Sequence, residues 1–153
     1  MKRVLLAVDD TKSSHSALNT FIDLFSNIHP ETVILSTVEQ FGGKSVLHDR
    51  ISDTDISVLL ETLKGTEIQE LLDKKSKDIL ESCKKSLEDN GVKGIKTVIK
   101  AGHPAEEILK TVKEEGAGMI IMGSKGKRMH TVLLGSISRE VVNSSEVPVL
   151  IAR

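Results

Sequence analysis

Five short aliphatic runs, set apart by longer stretches of mixed polarity, constrain this chain more than any other feature. They are Val4-Leu5-Leu6-Ala7-Val8, Thr32-Val33-Ile34-Leu35-Ser36-Thr37-Val38, Ile95-Lys96-Thr97-Val98-Ile99, Met119-Ile120-Ile121-Met122 and Pro148-Val149-Leu150-Ile151-Ala152. Each has strand length, and most are apolar at consecutive rather than alternate positions, which marks strands covered on both faces. Amphipathic helical stretches separate most of them. The resulting β-α-β-α-β-α-β-α-β order argues for a parallel sheet with helices on both faces. The chain has 153 residues, enough for one domain with a substantial core, and we assign that domain to residues 1–153.

The helical stretches carry their own punctuation. Ala17, Leu18, Phe21, Ile22 and Phe25 recur at helical spacing to about Asn27, with Ser13 and Ser14 as N-cap candidates. Thr66-Glu67-Ile68-Gln69 reads as a capping box, followed by an apolar face of Ile68, Leu72, Ile79, Cys83 and Leu87, with Asn90-Gly91 as the stop. Pro104 opens a helix that runs from Ala105 to Glu115 with Ile108, Leu109 and Val112 inward, and Gly116 closes it. A fourth helix is expected from about Thr131 to Asn143. Residues 40–65 fit neither period. Gly42-Gly43-Lys44-Ser45 opens that stretch, Asp49, Ser52, Asp53 and Asp55 keep it polar, and we expect a mobile excursion with a short helix around Ile56 to Leu63.

Composition removes several functions. Lys plus Arg is 21 and Asp plus Glu is 22, so no global positive field exists to hold a nucleic-acid backbone. Phe21, Phe25 and Phe41 are the only aromatic residues, which leaves no stacking platform for single-stranded bases. Residues 53–90 hold ten acids against six lysines, a charge run that reads as a solvated helix face. The lone Cys83 cannot form an intramolecular disulfide and sits on an apolar helix face as a small core residue. No apolar run approaches the ~20 residues that span a bilayer, and no signal-peptide pattern follows Met1, so a cytoplasmic location is expected.

In parallel sheets of this kind, ligands bind beyond the carboxyl ends of the strands. The richest sequence there is Gly123-Ser124-Lys125-Gly126-Lys127-Arg128-Met129-His130-Thr131, continued by Val132-Leu133-Leu134-Gly135-Ser136-Ile137-Ser138. Its glycines let backbone N–H groups approach a bound group, and the next helix points its positive end at the same place. No acid occurs between Gly116 and Arg139, whereas Lys125, Lys127, Arg128 and Arg139 are basic. Ser124, Ser136 and Ser138 add hydroxyls. A Gly-rich turn with solvated lysines would share this pattern, so phosphate binding and a plain turn remain two readings of it. Asp9, after the first run, is suited either to a ribose or base or to capping the next helix, with Asp10 available for the simpler role.

Other motifs fall short. Gly118 to Gly123 has P-loop spacing, but Ser124-Lys125 follows it and a buried strand fills it. Gly116-Ala117-Gly118 precedes a strand and is no dinucleotide fingerprint. His15, His29, His48, His103 and His130 form no i, i+4 pair and show no acidic companion pattern, so metal ligation and triad chemistry have little support. His103 reads as a turn residue before Pro104, close to the ligand edge of the sheet.

Taken in order, these segments resemble the universal stress protein family over essentially the whole chain. Val4 to Asp9 is similar to the family's first strand with its terminal Asp, and Leu35-Ser36-Thr37-Val38 to its second. Ala101-Gly102-His103-Pro104-Ala105-Glu106-Glu107-Ile108 resembles its G-x-P-x-x-x-I turn. Ile121 to Gly126 and Leu134 to Ser138 resemble its nucleotide motif, and Pro148-Val149-Leu150-Ile151 its terminal strand. The resemblance implies a Rossmann-like fold of the adenine nucleotide alpha hydrolase kind, with five parallel strands in the order 3-2-1-4-5.

It also implies an ATP site. Ala7, Asp9 and Val38 would contact the adenine or ribose side, and Met122 would line the wall. Gly123, Ser124, Lys125, Gly126, Lys127 and Arg128 would surround the phosphates, closed by Gly135, Ser136, Ile137 and Ser138. Mg²⁺ or Mn²⁺ would accompany the phosphates rather than occupy a protein cage. The family's G-x2-G-x9-G-S/T pattern is altered here, because eight residues separate Gly126 from Gly135. The intact Leu-Leu-Gly-Ser pattern places the deletion within Lys127 to His130. Inside a helix it would rotate everything downstream by about 100°. The function implied is a homodimeric regulatory or stress-response module, paired through residues 148–152. A nucleotide-free member acting on a protein partner is the alternative. No Walker-type lysine or positioned general base is evident, so slow ATP hydrolysis is the most that is expected.

Overall fold

The five aliphatic runs become β1 (Arg3–Ala7), β2 (Thr32–Glu39), β3 (Ile95–Ala101), β4 (Ile120–Gly123) and β5 (Val149–Ala152). They pair in parallel in the order β3-β2-β1-β4-β5, as expected. The computed structural model describes residues 2–40, 65–125 and 134–153, together with Val58, Glu61 and Thr62. Most of the excursion expected at 40–65 lies outside those residues. Val58, Glu61 and Thr62 have helical backbone, in line with the short helix expected there, and the Thr62 hydroxyl donates to the Val58 carbonyl at 2.8 Å.

Among the described residues the sheet is flanked by α1 (Lys12–Leu24), α2 (Glu67–Asp89), α3 (Pro104–Glu115) and α4 (Ser136–Ser144). Because successive strand residues point to opposite faces, β1 feeds two cores. Val4, Leu6 and Val8 meet Ala17 and Phe21 of α1 and Leu80, Cys83 and Leu87 of α2. Leu5 and Ala7 meet Ala105, Ile108 and Val112 of α3 and Val141 of α4. Leu5, Leu6, Ile34, Leu35, Ile120 and Ile121 are fully excluded from water, and burying each contributes about 1.5–3 kcal/mol.

Local chemistry moves several boundaries. The cap of α1 is Thr11, not Ser13 or Ser14: its extended backbone lets Oγ1 accept the Ser14 N–H at 3.2 Å. Ser14 turns inward instead, and its Oγ accepts the Asp9 N–H at 2.9 Å. The same helix ends at Leu24, short of Asn27. Only half of the expected capping box forms at α2. Thr66 accepts the Gln69 N–H, but the Gln69 amide reaches Asp73 and Glu39 rather than back to the cap. Ile68, assigned to the apolar face, is 54% exposed, and the buried line is Ser76, Leu80, Cys83 and Leu87. The reason is length: 23 helical residues span about 34 Å against about 26 Å for the eight of β2, so the helix overhangs the sheet.

The last helix starts at Ser136 rather than about Thr131. Gly135 is its extended cap and Leu134 is non-helical, whereas 131–133 lie outside the described residues. That boundary keeps the shortened spacer upstream of the helix, so the side chains of α4 keep their phase. Pro104 occupies the first position of α3, and Gly116 closes that helix in the left-handed conformation.

Candidate functional site

The chain order reverses between β1 and β4, the point where open α/β sheets form a crevice beyond their carboxyl ends. Three segments converge there: Asp9–Thr11 after β1, Gly123–Lys125 after β4, and Gly135–Ser138 at the start of α4.

Asp9 does the local work that the sequence left open between it and Asp10. Its Oδ1 accepts the Thr11 N–H at 2.8 Å and also the Thr11 hydroxyl, which fixes the turn into α1. No hydrogen bond to Oδ2 is formed by the described residues. Asp10 reaches Lys75 of α2 at 2.8 Å. The Asp9 charge is felt across that face, since burial first and the Asp9 carboxylate second push the Cys83 thiol above its ordinary range. A thiol held protonated in this way is a poor nucleophile, which agrees with a packing role for Cys83.

Gly123 has a steric task that the sequence reading did not assign. A Cβ there would stand 2.6 Å from the Ser13 carbonyl carbon, oxygen and Cβ, so the end of β4 touches the start of α1 directly. Ser124 is buried and anchors the connection that follows. Its N–H donates to the Ala152 carbonyl at 2.8 Å, and its carbonyl accepts the Gly135 N–H at 2.7 Å. The Ser138 hydroxyl, also buried, reaches the same carbonyl at 2.9 Å and the Gly135 carbonyl at 3.1 Å. The single hydroxyl proton of Ser138 therefore goes to backbone acceptors. These bonds staple both ends of the β4–α4 connection. Gly126, Lys127 and Arg128, expected around phosphates, lie outside the described residues.

Four expected residues meet in the apolar core between the sheet and α3 and α4. Ala7 and Met122 are buried in one apolar cluster, against which Val38 and Ile137 pack half-buried. Lys125 is half-buried and has no acidic partner among the described residues. Ser136 is exposed at the first position of α4, and Gly135 has no side chain to cap that helix. Its first-turn N–H groups thus lack intrahelical acceptors.

Glu39 was missed. It ends β2 and is 7% exposed, with Oε2 accepting the Gln69 amide at 3.2 Å and Oε1 without a hydrogen-bond partner among the described residues. The available signal was an acid closing an aliphatic run at the ligand edge. Among the described helices, none is long and apolar enough to cross a membrane.

Comparison with known proteins matches this fold. The profile of the universal stress protein family spans residues 1–153. Universal stress protein MJ0577 of Methanocaldococcus jannaschii is 33% identical, with 99% of this chain and 94% of that protein aligned. Its solved structure superposes with a TM-score of 0.77 over 99% of this chain and 94% of that one. Universal stress protein YxiE of Bacillus subtilis is 32% identical over 99% of this chain and 98% of its own. A universal stress protein solved in complex with cAMP shares the fold at 20% identity, with a TM-score of 0.67 and coverage of 99% and 97%. With a full-length profile match and full-length relatives above 30% identity, this chain belongs to the universal stress protein family.

Proposed function

We propose that the chain binds an adenine nucleotide, ATP foremost, across the carboxyl ends of β1 and β4, and acts as a homodimeric regulatory module in a stress response. The observation that carries this reading is one crevice with two chemistries. Its apolar side is Ala7, Val38, Met122 and Ile137 in a single cluster. Its polar side is Lys125, which has no acidic partner among the described residues, and the first turn of α4, which no described side chain caps. The structural relative complexed with cAMP supports an adenine nucleotide as the ligand class.

In this reading Oδ2 of Asp9 receives a ribose hydroxyl, since Oδ1 is already engaged. Adenine lies among aliphatic side chains rather than aromatic ones. The phosphates meet Gly123, Ser124, Lys125, Gly126, Lys127 and Arg128, with Gly135, Ser136 and Ile137 at the far side. Ser138 acts indirectly by holding the connection closed. Mg²⁺ or Mn²⁺ enters with the phosphates, which supply the anionic oxygens it needs. β5 ends the sheet and pairs only with β4 among the described strands, so its outer edge offers backbone groups to a second copy.

Calorimetric titration of ATP into nucleotide-stripped protein tests the proposal. Binding should raise the melting temperature, with about 2.7 kcal/mol of stabilisation at a hundredfold excess over Kd. Lys125→Ala should weaken binding with the unliganded melting temperature unchanged. Absence of heat and of any thermal shift at millimolar ATP rejects the proposal. It leaves the reading in which a partner protein is recognised, for which Ile68 and Leu71 of α2, 54% and 67% exposed, offer an apolar patch. Phosphate release is expected at most slowly above background.

A further inference from the structure

On the sheet face covered by α3 and α4, three metal-ligating side chains from two helices converge. We propose that His103, Glu106 and Glu140 bind one divalent transition-metal ion of the Zn²⁺ class, independently of any nucleotide. Their ligand atoms all lie within 4.8 Å of one another.

The backbone holds this set in place. His103 is the N-cap of α3, in an extended conformation at φ −75 and ψ 118, and the ring of Pro104 disfavours any helical alternative for the residue before it. Glu106 stands three residues on, hence on the same side of the first turn. Glu140 comes across from α4, which packs on α3. The Nδ1 side of the imidazole is buried, so Nε2 is the nitrogen that faces the carboxylates.

The spacing is compatible with two ligands of one metal ion. His103 Nε2 and Glu140 Oε2 are 3.4 Å apart. Tetrahedral Zn²⁺ with nitrogen and oxygen ligands at about 2.0–2.2 Å has ligand–ligand edges of about 3.3–3.5 Å. Lysine–carboxylate pairs in the same structure range from 2.7 Å for Lys100–Glu114 to 3.8 Å for Lys84–Glu88, so the metal reading rests on the third ligand, Glu106, rather than on this one distance. Glu106 is exposed and free to close the remaining gap by changing rotamer.

Charge points the same way. No lysine or arginine among the described residues pairs with Glu106 or Glu140, so two carboxylates share one imidazole. A dication neutralises them and outweighs the unfavourable positive end of α3. One imidazole with two carboxylates suits Zn²⁺, Co²⁺ or Mn²⁺ better than Mg²⁺, which keeps its water shell. A bound ion would cross-link α3 to α4, the helix whose first turn lines the strand-end crevice.

The test uses the full chain, stripped of nucleotide and dialysed against chelator, and titrated with Co²⁺ alone. The expected result is a visible d–d band saturating at one ion per chain and displaced by Zn²⁺. His103→Ala and Glu140→Gln should each weaken binding by about a hundredfold or more, beyond the loss of an outer-shell partner. His15→Ala and His29→Ala, at exposed positions, should change nothing. Glu106→Gln, the most conservative change, serves as the check should His103→Ala disturb the fold by circular dichroism. A band that fails to saturate at millimolar Co²⁺ overturns the proposal. So does unchanged binding in a folded His103→Ala/Glu140→Gln double variant.

Discussion

Gly123→Ala isolates a steric demand from a ligand-binding one. The added Cβ would stand 2.6 Å from three atoms of Ser13, roughly 0.8 Å inside the 3.4 Å at which ordinary contact begins. Ser13 cannot easily yield. It lies in the first turn of α1, which the Thr11 cap and the Asp9–Ser14 bond tie to the end of β1. Gly123 cannot retreat either, because it is in register with Ala152 of β5. Overpacking of this kind costs about 1–3 kcal/mol. Restricting the unfolded chain returns about 0.4–1 kcal/mol, for a net loss of about 1–2 kcal/mol. For a domain of this size, the melting temperature should fall by about 2–8 °C. The assay is urea and thermal denaturation followed by far-UV circular dichroism, since the chain has no Trp or Tyr to report by fluorescence. A Gly123→Ala protein as stable as its parent would refute the close approach of β4 to α1. The glycine would then be free for a role in ligand binding alone.

Further outcomes follow from the same contacts. Ser138→Ala removes the hydroxyl bridging the Ser124 and Gly135 carbonyls. It should cost about 1–2 kcal/mol in denaturant melts and weaken ATP binding without removing a direct ligand contact; unchanged stability would show the staple to be idle. Thr11→Ala should cost about 0.5–2 kcal/mol in the same melts, whereas Ser13→Ala should cost less, because only Thr11 caps α1. The hydrogen bond between Lys100 and Glu114, 2.7 Å long, holds the Glu114 carboxyl below its usual range and the Lys100 ammonium above its own. The acid's contribution is present above its unfolded pKa and lost as pH falls through its depressed one. The lysine's contribution is present below its unfolded pKa and lost as pH rises through its raised one. A Lys100→Met/Glu114→Gln double-mutant cycle should therefore show coupling at neutral pH that vanishes in strong acid, and equal coupling at both would contradict the assignment.

Much of the architecture was legible in the residues, because aliphatic runs long enough for a strand and apolar at consecutive positions have few places to go in water. The parallel sheet and its covering helices followed from that pattern, and the strand order from the family resemblance. Errors gathered where several groups competed for one hydrogen bond. Thr11, Ser13 and Ser14 are all chemically fit to cap α1, and only the path of the chain out of β1 selected Thr11. Gln69 was fit to complete a capping box, but Glu39 and Asp73 drew its amide away. Ile68 kept helical phase with Leu72 and lost its cover because α2 outlasts the sheet.

By itself the sequence determined the parallel α/β class, the apolar cores, the start of α3 at Pro104 and the gathering of glycines and bases after β4. These are local or periodic properties, set by side-chain polarity and backbone preference within a few residues. Tertiary structure decided what those properties were used for. It put Gly123 against Ser13, turned the Ser138 hydroxyl onto the Ser124 carbonyl, and brought Glu140 of α4 to His103 of α3. Each of these joins elements distant along the chain, and the forces responsible, steric exclusion and hydrogen bonding, act only over a few ångströms. No periodicity records such a meeting until the sheet has folded.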